Sequence, residues 1–329
     1  MIRRGTILAL LCLSTIISAR AMGMASAELY ATQSYTYGRF EARIQHAPGD
    51  GVVSSFFLWK NGSEVAGAYW NEIDFEKVGA NCGMTTNARY GTTASNHSQN
   101  NTMPGNSCAE YHTYGIDWTP SYIAWSVDGS EFRRDTGDTA TAFAENASAG
   151  MTIHFNIWPG NSSFGGNINN TTLPVREYIS WVQYSSYDNG TFQVQWRQEF
   201  QDSAVPTGWA VGNWASAYNL STHNPQNVGF VDGIAVLSLT ADSATGDPGT
   251  PPADDGTSST GGAGGSVSST GGSSGAGSGS SSGGCNVEPG SRRVGLGLLS
   301  ILMVAAWPWL RVWPRRRRSR CASSRPART

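Results

Sequence analysis

The punctuation of this chain constrains its fold more than any other feature. Between residues 28 and 242, short β-branched and aromatic runs recur between Gly, Asn and Pro turns, among them FEARIQ, VVSSFFLW, EIDFEKV, YIAWSVDG, MTIHFNIW, YISWVQY and IAVLSLT. Helical periodicity is confined to a turn at 140–147. Nine or more strands in that span predict an all-β fold, a two-sheet sandwich of the jelly-roll kind.

The flanks differ in kind. Residues 1–27 begin with Arg3 and Arg4, continue through an apolar run from Ile7 to Ala19 and end on Ala25-Ser26-Ala27, which predicts a secretory signal with Glu28 as the mature N-terminus. Residues 243–284 are Gly, Ser, Thr and Pro with almost no apolar side chains, and cannot offset their ordering entropy by burial, so they predict a flexible linker. Residues 285–329 carry an apolar run, 294–310, about 25 Å long as a helix, with an arginine cluster behind it at Arg315 to Arg318. That segment predicts a membrane anchor or sorting signal.

Charge narrows the partners. Residues 28–284 hold 9 basic and 23 acidic side chains, a net charge of −14. Such a body repels nucleic acid and sulfated glycans and favours a neutral substrate. Of the 5 cysteines, Cys82 and Cys108 are the pair left inside the globular part. In an oxidising compartment they predict a disulfide, two free thiols being the alternative. His46, His97, His112, His154 and His223 show no metal-ligand spacing and are read as surface or packing residues.

The motif that carries chemistry is WNEIDFEKVG, Trp70 to Gly79. On a strand, Glu72, Asp74 and Glu76 share one face while Ile73 and Phe75 point into the core. Three adjacent anions repel, which raises at least one pKa. Retaining glycoside hydrolysis needs such a set: one carboxylate attacks the anomeric carbon and a protonated partner gives its proton to the departing oxygen. The spacing alone leaves the two glutamates interchangeable. It also leaves open a solvated acidic face or a calcium site. Trp70, Trp59 and the polar-aromatic FNIWPG favour a glycan cleft, because aromatic faces stack on sugar rings.

WNEIDFEKVG, preceded by YGRFEARIQHAPGDGVVSSFFLWKNGSE and followed by YHTYGIDWTPSYIAWSVDG and FNIWPG, resembles family 16 glycoside hydrolases, and closely the bacterial lichenases among them. The uninterrupted E-x-D-x-E lacks the extra residue of laminarinase-like members. The resemblance implies a retaining endo-β-glucanase that cleaves β-1,4 bonds in mixed-linkage 1,3-1,4-β-glucan, with Glu72 as nucleophile, Asp74 as electrostatic helper and Glu76 as general acid/base. It places Phe57, Trp59, Asn61, Trp70, Asn87, Asn156 and Trp158 along the cleft. Arg89 departs from the pattern, standing where the family often has a stacking residue. Residues 196–240 resemble the segment that opens an ordinary lichenase, which implies a circular permutation. Ser185 to Thr191 would then be the loop joining the old ends, and Trp209, Trp214 and Asn219 would return to the cleft. Core packing is the alternative for those tryptophans. No cofactor is required. A structural calcium near Ser180 and Gly233 is an option that Ser180 weakens, since a better ligand side chain usually stands there. Gly284-Cys285 with the apolar run and arginines resembles myxobacterial sorting tails, implying an enzyme at the cell surface or outside the cell; a monomer is the expected state. A β-1,3-glucanase, a glucan transglycosylase and a non-catalytic glycan-binding module are the competing functions.

Overall fold

The computed structural model describes residues 23–102, 105–168 and 171–256. The leader up to residue 22, residues 257–284 of the linker, and the anchor or sorting segment lie outside the described residues. Among the described residues the strands are β1 Met24–Ala31, β2 Gly38–Gln45, β3 Val52–Trp59, β4 Trp70–Val78, β5 Gly83–Gly91, β6 Ser95–Asn96, β7 Gln99–Asn101, β8 His112–Trp118, β9 Ile123–Val127, β10 Ser130–Asp135, β11 Thr152–Pro159, β12 Val175–Asp188, β13 Thr191–Glu199, β14 Trp209–Val211, β15 Thr222–His223, β16 Val228–Val231 and β17 Ile234–Ala241. One helix, α1 (Asp138–Glu145), falls beside the expected turn.

The all-β expectation holds, in two layers. The first runs β5–β4–β3–β11–β1–β14, with β6 and β7 on the outer edge of β5. The second runs β10–β9–β8–β2–β12, after which β13 and β17 share the other edge of β12. β1 belongs to both: its start pairs with β17 and β15, and its end with β11 and β14. The period-2 alternation dictates what lies between the layers. Phe56, Ile73, Phe75 and Phe155 from the first meet Phe40, Tyr114, Trp118 and Trp125 from the second, all fully buried. Each large apolar side chain contributes about 1.5–3 kcal/mol by leaving water. Cys82 and Cys108 form the expected disulfide.

Three boundaries need correction. β1 starts at Met24, not at Glu28, and Ala25, Ser26 and Ala27 are buried. A cut after Ala27 would remove the half-strand that pairs with β17, so Met24 to Ala27 are part of the folded domain. The linker begins later than residue 243. Pro252 accepts a hydrogen bond from Tyr111, and Asp254 forms a 2.8 Å ion pair with the buried Arg43, so residues 243–256 pack on the outer face of the second layer. Ser185 to Asp188 are strand residues, leaving Asn189-Gly190 as the whole turn. Both have positive φ, 48° and 91°, as a two-residue hairpin turn demands.

Candidate active site

The site is the outer face of the first layer. β4 alternates as its sequence requires: Ile73 and Phe75 are fully buried in the core, while Glu72, Asp74 and Glu76 face outward. β4 lies between β3 and β5, and the register aligns polar rows across the face. Glu72 stands between Trp59 and Arg89, Asp74 between Phe57 and Asn87, and Glu76 between Ser55 and Thr85. β11 and β1 extend two of these rows, with His154 and Tyr30 beside Phe57, and Asn156 and Glu28 beside Ser55. From the second layer, Trp125 donates its indole N–H to the Asp74 carbonyl at 3.0 Å, which ties the middle of β4 to the core.

The two glutamates sit in different electrostatic surroundings. Trp70 Nε1 donates to Glu72 Oε2 at 2.7 Å, and the Arg89 guanidinium lies 3.9 Å from the same oxygen while stacking 3.8 Å over the Trp70 ring. Burial pushes the Glu72 carboxyl up, against the opposing pull of Arg89, Trp70 and His154. Burial pushes Glu76 up to about 8, and the Glu72 charge adds to that rise, with Arg89 opposing. Asp74, 4 % exposed, is raised well above its usual range by burial and by both neighbouring glutamates, while Asn87 donates to it. At neutral pH, therefore, Glu76 keeps a proton to give, and the groups that stabilise an anion converge on Glu72. That pair can protonate a leaving oxygen and attack the carbon that bears it.

Other predicted residues fall differently. Trp59 packs edge-on to Trp70 at 5.0 Å, and Phe57 lies 5.0 Å from His154, both on the site face. Asn156 Oδ1 and Ser55 Oγ are buried beside Glu76 without hydrogen-bond partners, acceptors and donors a ligand hydroxyl would satisfy. Asn61 is exposed in the turn after β3. Trp214, 42 % exposed, reaches the face, its indole N–H donating to Glu28 at 3.1 Å. Trp209 does not: it stacks on Phe155 and meets Phe200, both core residues, so the packing alternative applies. Trp158 is only 5 % exposed, flanked by Phe164 at 6.0 Å and Tyr218 at 6.1 Å. The ring surface at that end is offered by Tyr218, 41 % exposed, whose neighbour Asn219 shares its exposed turn. Neither of two surface cavities of about 380 and 480 Å³ is lined by the three acids.

Sequence reasoning missed Glu28, Tyr30, His154 and His223. Glu28 was expected as a chain terminus, yet it is a 5 % exposed strand residue holding His154 Nδ1 at 2.8 Å and His223 Nε2 at 3.2 Å. Its place in ELY, one strand-step from Tyr30, was the available signal. Of the five histidines only His97 is exposed; His46, His112, His154 and His223 are buried. At the calcium option, Ser180 donates to Asp254, and Asp254 is held by Arg43, so these side chains are committed to an ion pair. Gly233 backs onto Gln201, and no three acidic, His or Cys side chains gather to hold a metal among the described residues.

The model of glycosyl hydrolases family 16 matches residues 12–198. A β-glucanase of Fibrobacter succinogenes is 33 % identical over 255 residues, covering 74 % of this chain and 71 % of that protein. A β-glucanase of Bacillus amyloliquefaciens is 32 % identical over 154 residues, 46 % of this chain and 60 % of its own length. A solved Bacillus licheniformis β-glucanase is 28 % identical with a TM-score of 0.42, covering 50 % of this chain and 78 % of that one. The chain belongs to glycosyl hydrolases family 16 and is a glycoside hydrolase.

Proposed function

We propose that this enzyme is an exported endo-β-glucanase that cleaves mixed-linkage 1,3-1,4-β-glucan at β-1,4 bonds with retention, acting as a monomer. The observation that carries the reading is the unequal environment of the two glutamates. Glu76, held protonated to about 8, gives its proton to the glycosidic oxygen as Glu72 attacks the anomeric carbon. Glu76, now a carboxylate, takes a proton from water, which displaces Glu72 and regenerates both groups. Asp74 between them accepts from Asn87 and holds the pair apart in charge. The substrate assignment rests on the β-glucanase names of the relatives and on the uninterrupted E-x-D-x-E. Its test is reducing-sugar release from barley β-glucan, lichenan and laminarin, with NMR of the first-formed anomer. Release from the mixed-linkage glucans with β-anomer first is expected. Preference for laminarin overturns the specificity, and α-anomer first overturns the mechanism.

The same proposal includes a circular permutation. Ala25 pairs with Thr240 and Met24 with Ala241, so the ends of the domain lie side by side, while Asn189-Gly190 joins β12 to β13. The family match stops at residue 198, although β14 to β17 complete both layers, and the Bacillus relative aligns over 154 residues where the Fibrobacter one aligns over 255. Export and surface attachment complete the proposal, with leader cleavage placed before Met24 to spare β1. Mass spectrometry of the secreted protein's N-terminus tests it, a start at Glu28 being the contrary result.

A further inference from the structure

The hydrogen bonds around Glu28 constrain where the hydrogens of His154 lie. Thr152 Oγ1 donates to the Trp59 carbonyl at 3.1 Å, so its 2.7 Å contact with His154 Nε2 requires that nitrogen to carry a hydrogen. His154 Nδ1 faces Glu28 Oε1 at 2.8 Å, an acceptor-only partner when ionised, so this nitrogen carries one too. The other Glu28 oxygen receives Trp214 Nε1 at 3.1 Å and faces His223 Nε2 at 3.2 Å. His223 is a different case: its Nδ1 lies 3.0 Å from Ser26 Oγ, and burial pushes it down against the opposing pull of Glu28 and the Ala27 backbone. One carboxylate thus lies between two buried histidines, of which His154 meets an oxygen at each ring nitrogen.

We infer that His154 is a positioning residue for the proposed reaction: an imidazolium clamped between Glu28 and Thr152, fixed in the floor of the site as a second cation serving Glu72. Its place follows from the register. His154 stands beside Phe57, in the row of Asp74, and Thr152 stands beside Trp59, in the row of Glu72. Tyr30 stacks on the ring at 5.2 Å with planes 10° apart, and Phe57 lies against it at 5.0 Å, so it cannot swing away. The titratable and charged groups facing it are Glu28 and Tyr30 on β1, His223 on β15 and Glu72 with Asp74 on β4, whereas β3 presents only aromatic rings. Its charge and that of Arg89 both favour the ionised form of Glu72. Arg89 grips the carboxylate from the β5 side; His154 acts from the β11 side, across the strand that carries Trp59.

The inference rests on the reading of Glu72 as nucleophile, and the experiment separates the two. The pH profile of kcat/KM on barley β-glucan is compared for the full chain, His154→Gln and His154→Arg, with imidazole ¹⁵N shifts of the wild type recorded at pH 7. The expected result is an acidic limb moved up by about 0.5–1 pH unit in His154→Gln, as loss of a nearby opposite charge requires. kcat should fall more than KM changes, and His154→Arg, which restores the charge and two donor directions, should return the limb toward wild type. An unmoved limb in a folded His154→Gln overturns the inference while leaving the nucleophile assignment standing. Should His154→Gln fail to fold, the limb of His154→Arg and the wild-type shifts decide: a singly protonated His154 contradicts the clamp. No hydrolysis by wild type sinks the functional reading instead, and the ¹⁵N shifts still test the clamp.

Discussion

The two outer faces of this sandwich are made from the same alternating strands, yet they treat charge in opposite ways. On the second layer acids are paired with bases: Arg39 with Asp117 at 2.7 Å, Arg43 with Asp254 at 2.8 Å, and Arg197 with Glu199 at 3.6 Å. On the first, Glu72, Asp74 and Glu76 crowd one strand, with Arg89 alone among the described residues forming an ion pair to the set. The first arrangement stabilises a fold; the second stores electrostatic repulsion that only a reaction uses. Neutralising an acid should therefore do opposite things on the two faces.

The largest effect is expected at Glu76. Glu76→Gln should lower kcat by about 10³–10⁴ and leave the thermal midpoint unchanged at neutral pH, since it removes the proton donor and puts a neutral isostere where the carboxyl already keeps its proton. Steady-state kinetics with calorimetry on the same sample checks it; loss of both activity and stability would erase the contrast. On the opposite face, Asp254→Asn leaves Arg43 buried with only the exposed Asp255, 3.6 Å away, as anionic partner. A loss of roughly 2–3 kcal/mol in urea unfolding is expected, with kcat/KM intact. Between the layers, Glu177 is buried, accepts from Ser54, and is pushed up to about 8 by burial. The native state then keeps a proton that the unfolded chain releases above about pH 4.5, so stability falls as pH rises from there to about 8. Glu177→Gln should flatten that decline. The smallest effect is expected at the exposed Arg134 and Glu131 pair, where Arg134→Ala should cost under about 0.5 kcal/mol.

How much was legible follows from which interactions are local. Period-2 patterning gave the sandwich and put Glu72, Asp74 and Glu76 on one face, because alternation along one strand decides it. The alternation says nothing of which strands become neighbours, so Glu28, His154 and His223, from β1, β11 and β15, could not be gathered from their spacing. Glu28 was hidden further by lying just after an Ala-Ser-Ala that reads as a cleavage site and is instead strand interior. Composition misled at residues 243–256 for a related reason. A Pro- and Asp-bearing segment can be held by a buried Arg43 and by Tyr111, partners contributed from 140 or more residues away. The roles of the two glutamates were equally out of reach of spacing, since what separates them includes Arg89, brought from β5 across the sheet onto Trp70 and Glu72.

The measurement that bears most directly on this account is covalent trapping. The full chain is incubated with an activated 2-deoxy-2-fluoro β-glucan oligosaccharide, which slows release of a glycosyl-enzyme, and the peptide spanning β4 is sequenced by mass spectrometry. The account predicts one adduct, on Glu72, that forms more slowly as pH rises through about 8, where Glu76 loses its proton. An adduct on Glu76, or an active enzyme that forms none, would contradict it.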